Sequence, residues 1–158
     1  MTHSIFEEIC DFLERNNIRY RAVQHEPTKT SEESAKARGE SLEVGGKALL
    51  IKLGPVDFRL FVLSAVKKFD SKKVKKLFGA KSIRFANAEE LSSLTGLVPG
   101  SVPPFGEPIL PFPLYADSLI TQNPKIAFNA GSLTDSIIMP MEDYLRIACP
   151  EVLEFSQG

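Results

Sequence analysis

The chain has little of what metal and redox sites are built from: two cysteines and two histidines in 158 residues. Cys10 and Cys149 each fall within an apolar helical pattern, so both read as buried thiols rather than as a disulfide or a catalytic nucleophile. With only His3 and His25 available and no cysteine pair at ligand spacing, a zinc site has nothing to be assembled from, and no metal or cofactor is expected. His25 precedes a proline turn rather than any Ser or Cys nucleophile elbow, so no catalytic triad is evident. It reads first as a loop-tying residue and second as a substrate contact. No run approaches the roughly 18 apolar residues that cross a bilayer. Met1 to Glu8 lacks the basic start and apolar run of an export signal, so a soluble cytoplasmic protein is expected. The formal net charge of −1 gives no global attraction to nucleic acid, which leaves local charge placement to be read instead.

What is present suits one domain over residues 1–158, with no linker, repeat or low-complexity tract. Ile5, Ile9, Phe12 and Leu13 predict a helix over about 3–16, and 18–24 a strand. Thr30-Ser31-Glu32-Glu33 has the form of a capping box opening a helix to Arg38, which Gly39 ends. Residues 47–53 and 58–63 read as a hairpin turning at 54–57. Asp70 or Ser71 caps a helix placing Val74, Leu77 and Phe78 inward, 83–85 is a short strand, and Asn87 caps a helix over 88–94. Strands are expected at 109–112, 125–128 and 133–139, and a final helix at 141–148. The fold class is α+β, with a mixed sheet.

Thr95 to Gly106 holds three glycines and three prolines in twelve residues, a composition that writes a fixed backbone path and can present amides to a ligand. Asn129-Ala130-Gly131 forms a second small-residue turn, and the two loops together could frame a pocket. Lys47 follows two glycines at the start of a buried strand, where its head must reach solvent or meet an anion. Between residues 67 and 84 lie eight positive charges and a single acid, Asp70. This is either a solvated helix face or a footprint for phosphate backbone, with Lys72, Lys73 and Lys76 as the contact candidates.

In this order, Thr30-Ser31-Glu32-Glu33-Ser34-Ala35, Gly46-Lys47-Ala48-Leu49, Leu94-Thr95-Gly96 through Pro104-Phe105-Gly106, and Asn129-Ala130-Gly131 resemble the YbaK/ProX family from about residue 20 to 148. The resemblance implies a curved, barrel-like sheet surrounded by helices, and hydrolysis in trans of the ester joining a wrong amino acid to tRNA. It places Lys47 near the tRNA 3′ end and Gly100 as a backbone contact at the reacting carbonyl. Substrate-contact candidates are His25, Thr28, Thr30, Ser101, Pro104, Phe105, Asn129, Ala130 and Gly131. The sequence departs from the family pattern at Pro103, where many members have a small residue, and at residues 64–68, which lack the usual proline and glycine.

The implied mechanism is substrate-assisted, with a ribose hydroxyl and backbone amides orienting water and no covalent nucleophile. It suits an ester, which is activated relative to an amide. Implied partners are a mischarged aminoacyl-tRNA and a synthetase. A catalytically silent tRNA- or synthetase-binding module and a small-molecule binder are the alternatives.

Overall fold

The computed structural model describes residues 4–157; His3, the first residue of the expected 3–16 helix, lies outside them. Ser4 caps helix α1 (Ile5–Arg15), its hydroxyl accepting from the Glu7 amide, and Ile9 and Leu13 turn inward one helical turn apart. Strand β1 (Arg21–Gln24) leads to α2 (Ser31–Arg38), capped by Thr30 and closed by Gly39 in the left-handed region. The reciprocal bond of the expected capping box is shifted by one residue, because the Glu33 carboxylate takes the amide of Lys29. The hairpin of β2 (Gly46–Leu53) and β3 (Asp57–Ser64) forms as expected. Then come β4 (Lys68–Phe69), α3 (Ser71–Phe78), β5 (Ile83–Phe85) and α4 (Ala88–Thr95), the last with a complete Asn87/Glu90 capping box. After the proline loop follow β6 (Leu114–Asp117), β7 (Lys125–Asn129), β8 (Asp135–Pro140), α5 (Met141–Ala148), β9 (Glu151–Leu153) and β10 (Ser156–Gln157).

The strands form a mixed five-stranded sheet ordered β5-β2-β3-β6-β9, an antiparallel three-stranded sheet β1-β8-β7, and a two-stranded β10-β4 ribbon. The expectation of a barrel-like sheet is not confirmed: among the described residues no sheet closes, and the two larger ones join at a single parallel bridge, Gly45 to Ala127. Strand β3 shows why the main sheet is covered on both faces. Leu60 and Val62 enter a large core with Phe105, Phe128 and Tyr144, whereas Phe61 and Leu63 enter an aromatic cluster with Phe69, Tyr115 and Phe155.

Four expectations are corrected. Residues 109–112 form turns on the Gly106 carbonyl rather than a strand, since Pro108, Pro111 and Pro113 lack the amides a ladder needs, and the strand begins at Leu114. Leu77 is 55% exposed, because Val74 and Phe78 occupy the inward stripe of this two-turn helix. Cys149 is exposed at the left-handed end of α5, and Cys10 is only half-buried. The short strands β4, β9 and β10 were not anticipated.

Candidate functional site

A cavity of about 520 Å³ opens where the start of β2, helix α2, the proline loop and the end of β7 converge. It sits at the Gly45–Ala127 seam. A methyl on Gly46 would lie 2.7 Å from Ile126 Cδ1, so a side chain there would have to displace the buried Ile126, and glycine lets β2 start close against β7 and deliver Lys47 to the cavity. Lys47 is half-buried and forms no ion pair or hydrogen bond among the described residues. Burial, with the charge of Lys68 second, holds its ammonium below the ordinary lysine range.

The opposite wall comes from the chain entering and forming α2. Thr28, Thr30, Ser31, Ser34 and Arg38 line the cavity, the last three at i, i+3 and i+7 on one helical face. Thr28 and Ser34 join their hydroxyls at 2.6 Å. Lys29, Arg38 and Lys47 are the charged side chains of the lining, and no carboxylate lines it.

The third wall is the proline loop. Gly100 sits at φ 89°, a conformation natural to glycine, and its N–H meets no acceptor among the described residues. Its carbonyl accepts from Asn129 Nδ2 at 2.7 Å, and the Ser101 carbonyl accepts from the Gly131 amide at 3.0 Å. The two loops singled out from sequence are therefore bound side by side.

Of the sequence-derived candidates, Thr28, Thr30, Lys47, Gly100 and Asn129 converge on the cavity. The others do not line it. Ser101 is buried and hydrogen-bonds within its own loop to Val98, and the Pro104 carbonyl accepts from Tyr144 at 2.7 Å. Phe105 packs edge-on against Phe12, Phe128 and Tyr144 in the core instead of forming a cavity wall. Ala130 is fully buried, and Gly131 lies against Ile5 of α1. His25 bonds the Glu26 carbonyl through Nδ1 and the Ser136 hydroxyl through Nε2, both at 2.8 Å. A carbonyl only accepts, so the neutral ring carries its proton on Nδ1, and Ser136 donates to Nε2. Lys72 and Lys76 are exposed on α3, whereas Lys73 Nζ reaches the Ser156 carbonyl at 3.1 Å.

Sequence reading missed Arg38, Ser31 and Ser34. The signal was the helical spacing of small residues with an arginine at its end, a pattern that a solvated helix would share.

Residues 25–147 match the family described as the aminoacyl-tRNA editing domain. The chain is 35% identical over 154 residues to the Multifunctional Ser/Thr-tRNA deacylase ProXp-y of Escherichia coli (strain K12), covering 94% of this chain and 91% of that protein. It is 34% identical over 103 residues to the Proline--tRNA ligase of Shouchella clausii, covering 65% of this chain and 18% of the ligase. The crystal structure of a proposed trans-editing enzyme for prolyl tRNA synthetase superposes over the full length of both chains with a TM-score of 0.84 at 25% identity. Among the described residues, no helix is long and apolar enough to cross a membrane.

Proposed function

The chain belongs to the aminoacyl-tRNA editing domain family and is an aminoacyl-tRNA deacylase; we propose that it clears seryl and threonyl esters from mischarged tRNA in the cavity beside Lys47. The observation that carries this reading is the cavity lining: lysine and arginine but no carboxylate, a hydroxyl-rich wall from α2, and the Gly100 loop opposite. Cations without acids suit the phosphate-bearing end of a tRNA, and small hydroxylated walls suit a small polar amino acid. The names of the Escherichia coli relatives support the same substrate pair.

The chemistry needs no nucleophilic side chain. Water adds to the ester carbonyl, the bond from that carbon to the ribose oxygen breaks, and the leaving oxygen keeps a proton that came from the water. A neighbouring ribose hydroxyl orients the water. Lys47, kept cationic by an adjacent phosphate, clamps the terminus. The Gly100 N–H is the donor available to the carbonyl oxygen as charge develops on it, and a fixed amide needs no rearrangement to do so. Thr28, Thr30 and Asn129 bound the space for the amino-acid side chain, and exclusion of larger residues supplies the specificity that an apolar synthetase site cannot. A prolyl-tRNA synthetase is the partner that this reading supplies, given the ligase relationship.

The test is amino-acid release from a panel of seryl-, threonyl-, alanyl- and cysteinyl-tRNA. Seryl and threonyl release should exceed the rest, and Lys47→Ala should abolish most of it. Release no faster than spontaneous hydrolysis across the panel would reject the reading.

A further inference from the structure

Arg38 is 7% exposed and carries a charge that packing does not explain. Buried cations are costly unless paired, yet among the described residues Arg38 has no carboxylate partner. Its hydrogen bonds go to neutral oxygens: Nε to Ser136 Oγ at 2.9 Å and one Nη to Asn129 Oδ1 at 3.0 Å. Burial lowers its pKa to about 10, which leaves it cationic at neutral pH.

The direction of these bonds matters. A guanidinium can only donate, so it fixes which end of the Asn129 amide faces it. With Oδ1 turned to Arg38, Nδ2 is left to donate to the Gly100 carbonyl at 2.7 Å. A flipped amide would set oxygen against oxygen at Gly100 and nitrogen against the guanidinium. Ser136 Oγ accepts from Arg38 Nε at 2.9 Å, which holds the guanidinium in place beside Asn129. A cation on α2 thus sets the orientation of a peptide on the opposite cavity wall through one amide side chain.

We propose that Arg38 is a positioning residue for the deacylation reaction: acting through Asn129, it holds the Gly100 peptide in register with the cavity. The proposal rests on the reading of Gly100 as a wall of the reaction site.

Two variants of the full chain test it. Asn129→Asp keeps an acceptor for Arg38, and now a charged one, but cannot donate to Gly100. Arg38→Lys keeps the charge but loses the forked geometry. Each should lower kcat on seryl-tRNA roughly tenfold or more with KM changed less than about threefold, as misplacement of a reacting group does. The double variant should be little worse than either single one, because both act on the same link. Independently of any substrate, the Gly100 amide should lose order in both variants, its NMR order parameter falling from about 0.85 toward 0.6. Asn129→Asp should melt no lower than wild type, which covers the case in which Arg38→Lys does not fold.

Wild-type kcat in Asn129→Asp overturns the proposal. So does a loss of kcat with the Gly100 amide as rigid as before, since Asn129 would then act on substrate directly, and so do losses that multiply in the double variant. An inactive wild-type protein instead rejects the deacylase reading, while the Gly100 amide still reports whether Arg38 holds the loop.

Discussion

Gly100 and Lys47 make their contributions by different physics, and single substitutions separate them. At φ 89° an alanine is strained by roughly 1–2 kcal/mol. Gly100→Ala should therefore lose a few degrees of melting temperature by calorimetry, together with most of its kcat on seryl-tRNA. The proposed clamp requires Lys47 as a cation, and its pKa is already depressed, chiefly by burial and then by Lys68. The alkaline limb of kcat/KM, after subtraction of spontaneous ester hydrolysis, should consequently fall below the ordinary lysine range. Removing the repulsive charge with Lys68→Ala raises the Lys47 pKa, so the limb should move to higher pH. A limb that stays in place would disconnect Lys47 from the rate. Lys47 and Gly100 were legible in the sequence because a lysine after paired glycines and a glycine among prolines are local anomalies. Arg38 was not, because nothing local distinguishes a helix-terminal arginine in solvent from one turned inward onto Asn129 and Ser136.

At the scale of elements, the C-terminal ribbon depends on one buried carboxylate. Asp117, at the end of β6, accepts from the amides of Phe155 and Ser156 at 2.8 and 3.1 Å, from the Ser156 hydroxyl at 2.9 Å, and from the Leu119 amide at 3.3 Å. Its truncation leaves buried donors unmet and loosens Phe155 from the aromatic cluster. Asp117→Ala should cost about 3 kcal/mol in urea unfolding, with little change in KM because the cavity lies elsewhere. The same elements show what pattern reading can reach. Helices with caps at Asp70 and Asn87, and strands of five or more residues, announce themselves through 3.6- and 2-residue periods. Strands of two residues such as β4 and β10 have no period to read, and their pairing is set by distant partners. Closure of a sheet is a property of such pairings, so the barrel expectation rested on resemblance, and the pairing of the described strands does not confirm it.

For the molecule as a whole, the formal charge of −1 hides a strongly positive face. Lys68 in β4 influences Lys47 in the cavity, and α3 continues directly from it with Lys72, Lys75 and Lys76 exposed. The proposed path of the tRNA backbone therefore runs from α3 to the cavity mouth. Lys72→Glu with Lys76→Glu should weaken tRNA binding and flatten its dependence on log salt concentration by about two units of slope, measured by fluorescence anisotropy. An unchanged slope would move the tRNA to another face. The cavity walls also have separate origins along the chain. Lys47 stands at a glycine-enforced sheet junction and Gly100 in a proline-fixed loop, whereas the hydroxyl wall is one contiguous stretch, residues 28–34. Discrimination and reaction can thus diverge independently. On the proposed reading, grafting a different seven-residue stretch there is a route to retargeting which amino acid is released, with Lys47 and the Gly100 loop inherited untouched.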